Sequence, residues 1–350
     1  MGEERQRIDI PDLNFVSALN FCDYLSTLPS DGKYDFYFPS NASYDPFPML
    51  IVSSSIRRFI ARNTNLKENL KIYNKSKNSY AAHMGFYKAC GWQVGNAVGE
   101  APGSSTYIPI TKKAIKELEE ECKVNRTVIQ EEIEKLAKKM AAILSRKNID
   151  LQEALTFLLR EIIRNTPEHG RTEEVWYCAQ YWPSISLVEL AIMDEGCGLY
   201  ESLKSNKSLD DCINNDEDAL EYAMKPGISR VINRNRKKRT YEDELENSGY
   251  GLFMASQICI RLNGSFTIVS GSKAMHLRFN RMTGKCESEI YDTDFKGTAI
   301  AMRFKTNKIA KYQKVITEAL QEGEKLAKDD TNAIKTASKS SMGVRNRTTK

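Results

Sequence analysis

Residues 186–198 read SLVELAIMDEGCG, an apolar run of strand length that stops at Asp194 and turns on Gly196 and Gly198. Short apolar runs closed by turn residues favour a buried strand. An Asp at the end of such a strand can accept a hydrogen bond from an exocyclic amine. Two glycines beside it would let backbone come close to a flat ring. Taken alone, the same letters describe an ordinary Asp/Gly turn.

Working outward, residues 160–170 read REIIRNTPEHG and end a helical pattern that starts near Asp150. Glu161 and Asn165 are four apart and so project from one helical face. A carboxylate and a carboxamide placed this way can hold a water and a divalent cation side by side; the alternative is a solvated polar face. His169 beside Gly170 reads as a helix C-terminus, where a cationic ring favours the dipole. Downstream, Ser248-Gly249-Tyr250-Gly251-Leu252 precedes a helix expected over Leu252–Leu262. Free N–H groups of a Gly-rich turn at a helix start form a natural phosphate cradle. Gly297-Thr298 then leads into the last strand.

The order ExxxN on a helix, DxGxG after a strand, GxG before a helix and GT on a strand resembles the GHKL ATPase superfamily. Its members include DNA gyrase, heat-shock chaperones, MutL, sensor histidine kinases and anti-sigma serine kinases. The resemblance covers roughly residues 125–305. It implies a Bergerat-type ATP-binding domain, an α+β two-layer sandwich with helices on one face of a mainly antiparallel sheet. By that resemblance Asn165 coordinates Mg²⁺ and Glu161 is the general base. Asp194 takes the adenine amino group with help from Thr298, Gly196 and Gly198 shape that pocket, and Gly249, Gly251 and Leu252 lie at the phosphates of ATP. Gly227-Ile-Ser229 resembles the small turn before a mobile lid, which would contain Arg230, Arg234, Arg236, Lys237, Lys238 and Arg239. A Walker A sequence, GxxxxGK[ST], is absent, as it is from that superfamily.

Residues 1–110 read as a small α/β domain, with Tyr34–Phe38 and Leu70–Tyr73 as strands and Met49–Arg62 and Tyr80–Cys90 as helices. This alternation is similar to a STAS-like domain, the fold of anti-sigma-factor antagonists. Where those antagonists carry a phosphorylatable Ser, the junction here reads Asp45-Pro46-Phe47-Pro48, with Ser43 two residues earlier. That departure favours a docking or dimerisation module. Gly99–Ser105 reads as an exit linker, and residues 111–310 as the ATP-binding domain with its preceding helices. Thr111 is the expected N-cap of a helix to Cys122, followed by helices over Asn125–Ser145 and Asp150–Arg164. Strands are expected at Glu174–Gln180, Ser186–Met193, Ser265–Ser270, Ala274–Arg278 and Thr298–Phe304. Residues 311–350 read as a C-terminal helix and, after about 327, a disordered basic tail.

The composition, 41% hydrophobic and 28% charged, suits a globular chain with a real core. Net charge is +5, but residues 305–350 hold 11 basic and 5 acidic residues, leaving the other 304 at −1. A basic tail of this kind makes nucleic acid a possible partner without indicating it. No apolar run is long enough to span a bilayer and the N-terminus lacks a signal-peptide pattern, so no membrane role and a cytoplasmic location are expected. The eight cysteines form no CxxC pair and the histidines number three, which disfavours a zinc site and suggests buried thiols. Three functions are compatible with these residues. The first is a Mg²⁺-dependent ATPase whose lid closure controls assembly or partner binding in a bacterial regulatory or defence system, as a homodimer or with a protein partner at the STAS-like domain. The others are an anti-sigma-type serine protein kinase and a non-catalytic nucleotide-binding scaffold.

Overall fold

The computed structural model describes residues 5–39, 43–63, 70–73, 79–101, 104, 106–169, 172–228, 249–335 and 337. The fold is α+β, built on two sheets. The first comprises β1 (Gln6–Asp9), β2 (Tyr34–Tyr37) and β3 (Leu70–Tyr73), all parallel and in that order. Their crossovers carry α1 (Phe15–Thr27) and α2 (Pro46–Arg62), as parallel neighbours require. Sequence reading did not foresee β1 and α1. The predicted Tyr80–Cys90 helix is two short ones, α3 (Ser79–His83) and α4 (Phe86–Ala89), because Gly85 between them takes φ 80°.

The second sheet has five antiparallel strands in the order β4-β5-β6-β8-β7. They are β4 (Tyr107–Ala114), β5 (Glu174–Trp182), β6 (Leu187–Asp194), β7 (Ser265–Asn280) and β8 (Lys285–Lys305). Thr111 is therefore not a helix cap: it sits in β4 opposite Tyr177, and the helix that follows, α5, spans Ile115–Asn125. The next helix, α6 (Ile129–Ser145), begins only after Arg126 turns the chain with φ 55°. Helix α7 (Ile149–His169) runs on through Pro167, where strands had been expected to begin soon afterwards. Near a helix end a proline forfeits little more than one backbone hydrogen bond. The two strands expected at Ser265–Ser270 and Ala274–Arg278 are one, β7, with a register shift around Gly271 that preserves the pairing. Shorter helices α8 (Gly198–Lys204) and α9 (Asp216–Ala223), then α10 (Gly251–Arg261) and α11 (Tyr312–Asp329), are the remaining α-helices among the described residues.

Strand periodicity sorts the five-stranded sheet into two unlike faces. Val175, Tyr177, Leu190, Ile192, Phe266, Ile268, Met302 and Phe304 face a core made with α6, α7, α10 and α11. The opposite face carries Trp176 and Met193 at the end near Asp194 and smaller groups elsewhere, among them Cys178, Ala191, Val269, Ala299 and Ala301. These small side chains let α2 lie flat on the sheet, and its own Ser53, Ser54 and Ser55 are buried. The parallel unit thus forms a third layer over the face that a two-layer sandwich leaves open. Each of Met49, Leu50, Ile51 and Val52 is fully buried there, a gross gain of about 1.5–3 kcal/mol per side chain.

One charged group stands in that apolar interface. Glu189, 1% exposed on β6, accepts the backbone N–H of Phe47 in the first turn of α2 at 2.9 Å. It also pairs with Arg303 directly across on β8, Nε to Oε2 3.1 Å. Burial raises its carboxyl above the usual range, and Arg303 and the Phe47 N–H oppose that rise. Removing the carboxylate leaves the buried Phe47 N–H without its acceptor and the Arg303 guanidinium with only the longer Asp45 contact of 3.8 Å. Glu189→Ala should therefore cost about 3–5 kcal/mol of stability in denaturant titrations, and Glu189→Gln, which keeps an acceptor, distinctly less. Equal losses for the two variants would refute this account of the joint.

Candidate functional site

Two clusters of the predicted residues form around the sheet, each assembled from distant parts of the chain. The first lies where β6 ends. Asp194, 6% exposed, is its last residue and pairs in register with Thr298 on β8. The Gly196 N–H donates to Asp194 Oδ1 at 2.9 Å, and the Thr298 backbone also bonds the carboxylate. Gly297 takes φ 97°, and a Cβ there would stand 2.1 Å from the Asp194 carbonyl oxygen. Only glycine lets the two strands close at this point. Gly198 begins α8 with φ 76°, and a Cβ on it would come within 2.9 Å of Ser270 Oγ. Ser270 is a residue that sequence reading missed. Its hydroxyl accepts from the Leu199 N–H at 2.8 Å and donates to the Gly297 carbonyl at 2.9 Å, tying α8 to the strand pair.

The second cluster joins α7 to the start of α10. Glu161 is 3% exposed, and its Oε1 accepts from Arg160 Nη2 at 2.9 Å. Its Oε2 lies 3.2 Å from where a Cβ on Gly251 would be, so the carboxylate rests against the first residue of α10. Asn165 is one turn further along α7 and half-buried; Leu252 is half-buried beside Gly251. Gly249 takes φ 72° against the Ile228 carbonyl, where a Cβ would approach to 2.3 Å. The Gly227 N–H donates to the Gly249 carbonyl at 3.1 Å, so the two glycine turns are hydrogen-bonded to each other. Ser229, Gly170 and the basic run Arg230–Arg239 lie outside the described residues.

The segment after α11 meets the same place, which corrects the expectation of disorder from about residue 327. The Ile334 N–H donates to the Gly227 carbonyl at 2.8 Å, and Tyr250 Oη donates to the Ile334 carbonyl at 3.1 Å. Ala333 and Ala337 are buried in the main core, so the described part of the tail, through 337, is packed. Residues 338–350 lie outside the described residues. A Lys/Ser/Thr-rich composition concealed two alanines and an isoleucine spaced for contact.

Glu195, read only as part of a turn, points away from Asp194 and into the N-terminal unit. Its Oε1 accepts from Ser54 Oγ and from Arg57 Nη2, each at 2.5 Å. Arg57 in turn stacks over the Trp176 ring on β5 at 4.1 Å and donates to the Ala89 carbonyl at the end of α4. The turn that holds Asp194 is thus bolted to α2. A clue was available in the sequence: EVWYCAQYW and LVELAIMD are apolar on both strand faces, the mark of a sheet covered on both sides.

The expected burial of thiols holds for half of the set. Cys22, Cys90, Cys178 and Cys259 are buried, Cys122, Cys197 and Cys212 are half-buried, and Cys286 is exposed.

Burial pushes the Asp194 carboxyl up to about 6, despite the backbone donors that favour its charged form. The folded state therefore holds this proton more tightly than the unfolded chain does. Its stabilising effect is complete below pH about 4 and is lost as pH rises through about 6, a swing of about 3 kcal/mol. Asp194→Asn should remove that slope from urea midpoints measured between pH 4 and 7, and should be the more stable protein at neutral pH. A slope unchanged by the substitution would show that another group carries it. No family model matches this chain, and no curated protein matches it, so what the clusters do is argued from their chemistry.

Proposed function

We propose that the protein binds Mg²⁺-ATP on the surface that runs between Asp194 and Glu161, and hydrolyses it. The reading takes the five-stranded sheet with α6, α7 and α10 as a Bergerat-type layer of the GHKL superfamily, and the parallel unit as STAS-like. The observation that carries it is the meeting of Glu161 with Gly251, 90 positions apart in sequence, at the start of a helix entered through a glycine turn. A carboxylate fixed by Arg160 beside free helical N–H groups suits a step in which water attacks a phosphate held at that helix end.

Asp194 supports the other end of the reading. A carboxylate buried at a strand end is a strong acceptor for an amine, and the Gly196 N–H and the close Gly198–Ser270 contact fix the turn that presents it. The oxygen donors of Asn165 and Glu161 fit a hard divalent cation. When bound, that cation would neutralise phosphate charge. Asn165 would hold it, Glu161 would orient the water and accept its proton, and Gly249 and Gly251 would offer N–H groups to the phosphates. The Glu195 bridge gives the nucleotide end a direct route to the N-terminal unit, where a second copy or another protein would read it. Among the described residues no helix is long and apolar enough to cross a membrane, in keeping with a partner met away from a bilayer.

The deciding experiment is turnover of labelled ATP with Mg²⁺ by the whole chain. The expected outcome is release of inorganic phosphate; lasting label on protein would replace the hydrolase with a serine kinase, and no binding at all would leave a scaffold. Glu161→Ala should lower turnover by at least about a hundredfold while ATP affinity changes only a few-fold. Full turnover in that variant would remove Glu161 from the mechanism. ATP affinity should also fall as pH drops through about 6, because protonated Asp194 loses the charge that accepts the amine. In Asp194→Asn this pH dependence should vanish, and its persistence would count against the assignment.

A further inference from the structure

A cleft of about 410 Å³ opens between the N-terminal unit and β8, within the size range of small-molecule sites. Its walls come from α1, α2 and the β8 stretch just before Gly297 and Thr298. Arg58, Arg62 and Lys296 line it against one carboxylate, Asp294, so the formal charge of its walls is +2. Arg62 is fixed at the end of α1, where its Nη1 donates to the Ser26 carbonyl at 2.7 Å and its Nη2 to that of Leu28 at 3.0 Å. Arg58 reaches Asp294 only at 3.3 Å, with both side chains more than a third exposed, and Lys296 stands exposed at the rim.

Behind these charges the cleft is backed by Leu25 and Phe59, 2% and 1% exposed. Ser55 also lines the cleft. It is 4% exposed, and among the described residues its hydroxyl has no oxygen or nitrogen partner, with the weakly bonding Cys22 thiol beside it. A buried hydroxyl with so weak a neighbour is uncommon, and at a cleft wall it keeps a proton to donate to a ligand acceptor. The neighbouring Cys22 adds no negative charge, since burial pushes its thiol up to about 12.

We propose that this cleft is a second ligand site, distinct from the Asp194–Glu161 surface, for a small organic phosphate monoester. The phosphate head sits among Arg58, Lys296 and the Ser55 hydroxyl, and the organic body lies along the aliphatic stems of the two arginines, with Leu25 and Phe59 behind them. A monoester carries nearly two negative charges at neutral pH, which matches the +2 of the walls. A monoanionic carboxylate would leave one positive charge uncompensated. The inference stands apart from the nucleotide reading, because none of these residues belongs to either cluster described above.

Calorimetric titration of the full chain with phenyl phosphate tests it, with inorganic phosphate and benzyl alcohol as separate arms. Phenyl phosphate should bind saturably at one site per chain and more tightly than either partial probe. Lys296→Ala and Arg58→Ala should each weaken it by about tenfold, and Ser55→Ala by a few-fold. Lys296 is exposed, so its variant folds whatever the fate of the others. Asp194→Asn should leave the affinity unchanged. The proposal is overturned if phenyl phosphate gives no saturable heat, or if Lys296→Ala binds it as the parent does. It is likewise overturned if Asp194→Asn abolishes binding, which would place the probe at the other surface. Inorganic phosphate binding as tightly as the monoester would refute the contact with the organic body.

Discussion

The carboxylate of Glu189 lies deep in an apolar interface, and the arrangement of the protein around it follows from its need for partners. An ion removed from water is tolerated only when hydrogen bonds and an opposite charge surround it. Here the opposite charge is Arg303, which fixes the pairing of β6 with β8, and the hydrogen bond is the first turn of α2. The start of α2 is thereby set against the middle of the sheet in one position and orientation. Six residues further along the chain, just past the end of that strand, Glu195 holds Ser54 and Arg57. Two carboxylates, one on β6 and one in the turn after it, thus clamp two successive parts of one helix. Between them the small side chains of the sheet let the helix lie close against it.

The same strand ends in Asp194, so the rigidity of the joint is passed to the candidate site. Its neighbours are held by backbone contacts that tolerate no Cβ, at Gly297 above all. Asp194 itself is electrostatically uncomfortable: burial opposes its charge, and the backbone donors around it only partly compensate. A group of this kind gains most from an added donor, which is why its burial and its geometry point the same way.

Much of this was legible in the letters. The strand ending at Asp194, the helical face shared by Glu161 and Asn165, and the helix entered at Gly251 follow from periodicity and turn chemistry alone. The third layer was not foreseen, because a helix containing Ser53, Ser54 and Ser55 looks polar until one knows how small its partners are. β4 was misread for a related reason. Its lysines reach solvent or carboxylates from a strand, yet beside a Glu-rich stretch they resemble the start of a helix. Partners such as Ser270, Arg57 and Ile334 are invisible at sequence level, since each acts across dozens of residues on groups that carry no local pattern.

The hydrogen bonds joining Gly227, Gly249 and Ile334 give the end of the chain a structural duty. Gly227 and Gly249, 22 positions apart, are tied to each other, and the tail holds both neighbourhoods through Ile334. The entropy of bringing two chain points together rises only with the logarithm of their separation, so a few such bonds suffice to keep them joined. A chain cut before Ile334 would lose its bond to the Gly227 carbonyl and its bond from the Tyr250 hydroxyl together, and with them the covering of the turn that enters α10.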